Sequence, residues 1–270
     1  MKLCRLQPLA LGPVTSGRRG AEFHPAAHFA AIEGDTAYEL EGWLPRARRQ
    51  TGQSWPLAEV RLLPPVLPSK IVCVGRNYRE HIAELKHPTP VEPLIFLKPP
   101  SSLIGPEEPI LLPGISQRVD YEGELALVIA KTCSRLADNE NIAPYLLGAT
   151  CVNDVTARDI QDADVQFTRA KGFDTFCPLG PAIETELDLS DVSVETFVNG
   201  ARRQSGRTTQ MIFSLDVIIR WISRMMTLLP GDVIATGTPS GVGPLAAGDV
   251  VEVVVGGVGT LRNPVAAREE

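Results

Sequence analysis

The sequence predicts an α+β fold rich in strands, and three observations predict it. Glycine and proline number 23 each and cut the chain into many short segments. Strand patterns dominate those segments, while helical periodicity is rare. Strands and helices also do not alternate in the regular order that a parallel βαβ sheet demands, so antiparallel and mixed sheet is expected. No repeat at solenoid periods is evident.

Taken in order, residues 29–32 and 36–40 flank Glu33-Gly34-Asp35 and read as a small hairpin. Residues 46–56 are polar, and 62–68 (LLPPVLP) are stiff and extended. That join separates a small N-terminal subdomain, residues 1–66, from a main body, residues 67–270. Residues 70–74 have a buried-strand pattern, and 78–86 a polar helical one. Residues 93–100 form a short strand ending in a proline stop. Residues 121–130 alternate at a period of two. Ser214 reads as the N-cap of a helix with Leu215, Ile218, Ile219, Ile222 and Met226 on one face. Residues 232–235, 250–255 and 258–265 are strands, the last two joined through Gly256-Gly257.

Bulk properties exclude several classes. The 270 residues carry 26 basic and 32 acidic side chains, for a net charge of −6. Such a balance argues against a nucleic-acid partner, which needs a basic face to replace phosphate counterions. No apolar run reaches membrane-spanning length. Near the N-terminus Gln7, Pro8 and Pro13 interrupt the weakly apolar stretch, so a signal peptide is not expected. The five cysteines, Cys4, Cys73, Cys133, Cys151 and Cys177, form no Cys-x-x-Cys pair, which suits buried thiols in a reducing cytoplasm.

The most informative segment is Asp120-Tyr-Glu-Gly-Glu-Leu-Ala-Leu-Val. On a strand, Glu122 and Glu124 project from one face, with Tyr121, Leu125, Leu127 and Ile129 on the other. Adjacent carboxylates repel, and a divalent cation relieves that conflict; hard oxygen ligands suit Mg²⁺ or Mn²⁺. An edge strand with solvated glutamates fits the pattern as well. Asp154 supplies a third acid where a strand ends, with a helix expected near Thr156; an ordinary helix cap is the alternative. Arg158 reads as structural or as reaching a substrate carboxylate. Lys171, beside Gly172 in an expected loop, suits stabilisation of a developing enolate, although a lone loop lysine is commonly solvated.

His81 and Glu84 lie three apart, neighbours on a helix face, where the acid can orient the imidazole as a water-activating dyad. A surface helix explains them equally. His24 and His28 are spaced for a helix, but Pro25 and the lack of a following acid argue against zinc. The loop Thr236-Gly-Thr-Pro-Ser-Gly-Val-Gly lacks the dinucleotide and phosphate-loop spacings. Its amides and the Thr238 hydroxyl can hold a carboxylate, and a plain turn also accounts for its glycines.

Together the motifs resemble the fumarylacetoacetate hydrolase family in its short-chain branch. They run from Gly75-Arg-Asn-Tyr and Phe96-Leu-Lys-Pro through Asp120-Tyr-Glu-x-Glu-Leu, Asn153-Asp-Val-Thr-Ala-Arg-Asp and Lys171-Gly-Phe-Asp-Thr. Pro230-Gly-Asp and Gly237-Thr-Pro-x-Gly-Val-Gly complete the series, and the resemblance spans about residues 67–264. It implies a mixed β-roll with few helices, usually a homodimer. By the same resemblance the Mg²⁺ or Mn²⁺ ligands fall on Glu122, Glu124 and Asp154, and the active-site lysine on Lys171. His81 and Glu84 match a dyad on a lid, and Gln161 and Thr238 match substrate contacts, beside Arg158.

The expected substrate is a small 2-oxo acid whose carboxylate and keto oxygens face the cation. The leading expectation is hydrolysis of a C–C bond in a 2,4-dioxo acid through a pyruvate enolate. Decarboxylation of an oxaloacetate-type acid, or isomerisation of an unsaturated 2-oxo diacid, uses the same electron sink. A homologue that binds without catalysis is the remaining alternative.

Overall fold

The computed structural model describes residues 1–11, 27–42, 49–86 and 88–268. His24 and part of the polar 46–56 stretch lie outside the described residues. His28, by contrast, stands with Nδ1 2.5 Å from a Glu39 carboxylate oxygen.

Strands dominate the described residues, as expected, in three sheets. The largest has twelve strands. Its main path runs Gln50–Pro56, Thr36–Leu40, His28–Glu33, Lys2–Pro8, Cys177–Glu184, Leu146–Asn153, Gly123–Ile129, Val233–Ala235, Ile71–Gly75 and Leu94–Lys98. Val60–Leu63 and Leu103–Ile104 pair beside that path. Most pairings are antiparallel, but Val233–Ala235 runs parallel to Ile71–Gly75, so the sheet is mixed. The hairpin around Gly34 forms with His28–Glu33 against Thr36–Leu40. The N-terminal strands continue the main body's sheet, because Lys2 and Leu3 pair with Glu184 and Ile183.

A five-stranded sheet (Ala201–Arg207, Ser193–Val198, Val250–Val255, Gly259–Ala267, Ile110–Leu112) packs over one face of the large one. Period two explains the packing. Leu125, Leu127 and Ile129 join Val194, Val253, Val255 and Leu261 in one core, while Ala126 and Val128 join Ile71, Cys73, Val152 and Leu179 in another. The helix Leu215–Met225 seals the first core with Leu215, Ile218, Ile219 and Ile222, at positions that place them on one face. Met226 falls one residue past its end, and Ser214 makes no side-chain cap bond.

The expected strand over 121–130 is two strands. Val119–Tyr121 belongs to a three-stranded sheet with Thr156–Ala157 and Gly243–Pro244, whereas Gly123–Ile129 belongs to the large sheet. The chain changes sheets at Glu122, and Tyr121 therefore sits in a different core from Leu125. At this crossing a side chain on Gly123 would force its neighbours to move, because its Cβ would lie 2.0 Å from the Thr196 hydroxyl. Three further helices are short: Arg79–Glu84, Arg158–Ala163 and Thr168–Lys171. Lys171 thus ends a helical turn instead of sitting in the expected loop, and it is buried. No helix among the described residues is long and apolar enough to cross a membrane.

Candidate active site

Glu122, Glu124 and Asp154 converge. One carboxylate oxygen from each lies within 4.8 Å of the others, and all three residues are buried. The solvated edge-strand alternative is therefore excluded. Two strands bring the acids together: Gly123 pairs with Asn153 across the antiparallel ladder, and Asp154 follows directly, its amide donating to Glu122 O at 2.8 Å. The Asn153 side-chain oxygen accepts from the Glu122 amide at 2.9 Å, which fixes the backbone at the sheet crossing.

Cations surround the trio. Lys171 Nζ donates to Glu122 Oε2 at 2.8 Å and to Asp154 Oδ2 at 2.6 Å. Lys98 Nζ donates to Asp154 Oδ1 at 2.6 Å and to Val155 O at 3.0 Å. Arg158 reaches Glu122 Oε1 at 2.6 Å and Asp120 Oδ2 at 3.0 Å, while Arg118 grips Asp120 from the solvent side. Arg158 is thus both buried and part of the site's electrostatics.

The acids respond unequally. Burial alone would push the Glu122 carboxylate up, but Lys171 and Arg158 outweigh it and hold it far below the usual range. Glu124 goes the other way: burial and the charges of Asp154 and Glu122 push it well above, although Gly237 N donates to it at 2.7 Å. The Lys171 ammonium, disfavoured by burial, is held charged by Asp154 and Glu122. A buried carboxylate raised by two others is a demand for more positive charge at that spot. Oxygen-only donors at mutual distances that one ion spans fit a hard dication such as Mg²⁺ or Mn²⁺.

The trio opens onto a cavity of about 440 Å³. His81, Arg158, Gln161, Lys171 and Thr238 line it with the three acids. Glu84 stands behind His81, its Oε2 3.4 Å from His81 Nδ1, and it accepts from Gly241 N at 3.1 Å. Burial lowers the His81 imidazole below its ordinary value, so the neutral ring is favoured. Gln161 Oε1 accepts from Arg158 at 2.5 Å, which turns its amide nitrogen free for another partner. The Thr238 hydroxyl is already engaged: it donates to Gly123 O at 2.8 Å and accepts from Gln204 at 2.7 Å.

Sequence reasoning assigned no role to three residues here. Lys98 and Asp120 sit inside quoted motifs, and their burial at 1% and 0% was the signal available only from the fold. Arg76, also in a quoted motif, lines the cavity.

A buried carboxylate trio that could hold a metal ion shares one cavity with a buried lysine and a histidine, on a mostly β fold. The chain belongs to the fumarylacetoacetate hydrolase family. Residues 70–266 match the family model described as fumarylacetoacetate (FAA) hydrolase C-terminal, and 24–65 match one described as Rv2993c-like, N-terminal. The chain is 50% identical to Protein Rv2993c of Mycobacterium tuberculosis, over 88% of this chain and 93% of that one. It is 39% identical to the oxaloacetate tautomerase YisK of Bacillus subtilis, over 85% and 81%. Among solved structures, 2-hydroxyhepta-2,4-diene-1,7-dioate isomerase from Mycobacterium marinum superposes with a TM-score of 0.87 at 44% identity, covering 100% of both chains.

Proposed function

We propose that the protein interconverts tautomers or double-bond isomers of a small 2-oxo diacid, by proton transfer through an enolate. The observation that carries this reading is the juxtaposition of the acid trio, Lys171 and the neutral-favoured His81 around one cavity. The names of the relatives, a tautomerase and an isomerase, weight the reading toward proton movement over the C–C hydrolysis that the motifs first suggest.

Bound by Glu122, Glu124 and Asp154, a divalent cation supplies Lewis-acid stabilisation of negative charge on a keto oxygen, worth several kcal/mol. Lys171 holds a fixed positive charge against the same spot and keeps two of the acids oriented. Gln161 offers an amide donor to a ligand oxygen. His81, neutral near pH 7, takes a proton from the carbon next to the keto group and returns it to the other end of the enolate. Glu84 orients the ring from behind. A homodimeric, cytoplasmic enzyme is part of the same reading.

The test loads the full chain with Mg²⁺ or Mn²⁺ and follows the enol absorbance of oxaloacetate beside a pyruvate-release assay. Faster enol decay without pyruvate is the expected result. Pyruvate release from an acylpyruvate, with no effect on enol decay, would reverse the order of the two readings. C–C hydrolysis keeps its place as the second reading because His81 and Glu84 do stand in dyad order, 3.4 Å apart.

A further inference from the structure

We infer that Arg76 is the specificity-determining residue that receives the distal carboxylate of a diacid substrate; the inference rests on the 2-oxo acid reading above. Arg76 lines the same cavity as the acid trio. It follows the strand Ile71–Gly75, which lies two strands from Gly123–Ile129 in the large sheet. Two steps of about 4.8 Å put the strands roughly 10 Å apart. An arginine side chain and a four- or five-carbon diacid together bridge that gap.

The turn holding Arg76 is rigid. Its φ is +57°, a conformation that costs a non-glycine residue about 1–3 kcal/mol and persists only where neighbours impose it. Asn77 imposes it: its side chain donates to Thr236 O at 2.8 Å and Phe213 O at 3.2 Å, and accepts from Phe213 N at 2.9 Å. Gly237 lets this packing occur, since a Cβ there would sit 2.7 Å from Asn77 Cβ. The Gly75-Arg-Asn-Tyr motif is thus a clamp that presents one cation to the cavity.

That cation is surplus. Asp120, Glu122 and Asp154 pair with Lys98, Lys171, Arg158 and Arg118, and Glu124, which pairs with none of them, makes the formal count four acids to four cations. A dication adds two positive charges, which the carboxylate and enolate oxygens of a 2-oxo acid neutralise. Arg76 adds one more, and among the described residues it has no acidic partner. Neither rim acid forms an ion pair with it: Asp164 is gripped by Arg169, and Asp162 is exposed to solvent. A half-buried arginine facing a ligand cavity, without a counter-ion, suits a carboxylate in bidentate geometry.

The experiment compares wild type with Arg76→Gln and Arg76→Lys, all full-length and Mg²⁺-loaded. Calorimetry gives the affinity for oxalate, a chelating head with no distal group, and displacement of oxalate gives the affinities for oxaloacetate and pyruvate. In Arg76→Gln, oxalate and pyruvate should stay within about 2-fold while oxaloacetate weakens about 10- to 100-fold. Arg76→Lys should recover part of the loss. Equal displacement by oxaloacetate in wild type and Arg76→Gln overturns the proposal, as does parallel weakening of oxalate. So does a wild type that prefers pyruvate. Wild type that binds oxaloacetate through Arg76 yet leaves its enol unchanged would refute the tautomerase reading alone.

Discussion

The two halves of the site differ in how firmly they are held. On the acid wall, Glu122 and Asp154 have both carboxylate oxygens engaged by buried cations at 2.6–2.8 Å. These side chains project from or beside the central strands of the largest sheet. Lining the same cavity, His81 rides on a helix of six residues whose N-cap makes no side-chain bond. Its partner Glu84 is 35% exposed and 3.4 Å away. A helix that short has little stability of its own and stands on tertiary contacts. Glu122 and Asp154 are fixed by buried ion pairs beside the sheet, whereas the group proposed to move a proton sits where small adjustments are easy.

The sharpest way to break this contrast is to remove a wall residue. Glu122→Ala leaves Arg158 and Lys171 without one of their acids and takes away a donor oxygen. Mn²⁺ affinity by calorimetry should fall more than about 100-fold, beyond the range for residues that only support ligands. Unchanged affinity would remove Glu122 from the cation site. The corresponding change on the helix is His81→Ala. Turnover should drop about 100- to 10,000-fold with Mn²⁺ affinity preserved, the signature of lost acid–base chemistry. Comparable losses in both quantities would mean that the two halves are one unit.

Lys98→Met examines what holds the wall rigid. Lys98 and Asp154 are both buried, so the variant strands a carboxylate oxygen without a partner. Breaking such a pair costs about 3–5 kcal/mol, which urea unfolding without metal should register. Added Mn²⁺ should restore part of the loss, because the ion binds only the folded state.

How much of this was legible in the sequence depends on where the determinants lie. Period two after Gly123 was legible and put Leu125, Leu127 and Ile129 on one face, and the ordered motifs gave the family and the three acids. The break at Glu122 was not legible, because Asn153 and the pairing of two separate sheets impose it from elsewhere in the chain. Lys98 stood in a quoted motif without a role, because its partner Asp154 lies 56 residues away. Arg76 gave no sign of a positive φ, since residue type favours glycine there and Asn77 contacts decide otherwise. Local pattern specified faces and motifs, and tertiary contacts specified which charged groups were buried.

The smallest effect sharpens the contrast from the helix side. Burial lowers His81 from its ordinary value of 6.5, so the neutral base persists to lower pH than in a free imidazole. As pH falls through that lowered value the ring protonates and kcat/KM should decline, placing the acid limb below 6.5. Glu84 favours the protonated ring through its hydrogen bond and its charge. Glu84→Gln keeps an oxygen for Gly241 N and removes that charge, so the limb should move to still lower pH, with a modest change in the plateau. A pH–rate profile of both proteins decides it. A limb that stays put in Glu84→Gln would show that the 3.4 Å contact carries no electrostatic coupling, and would leave His81 acting without its acid.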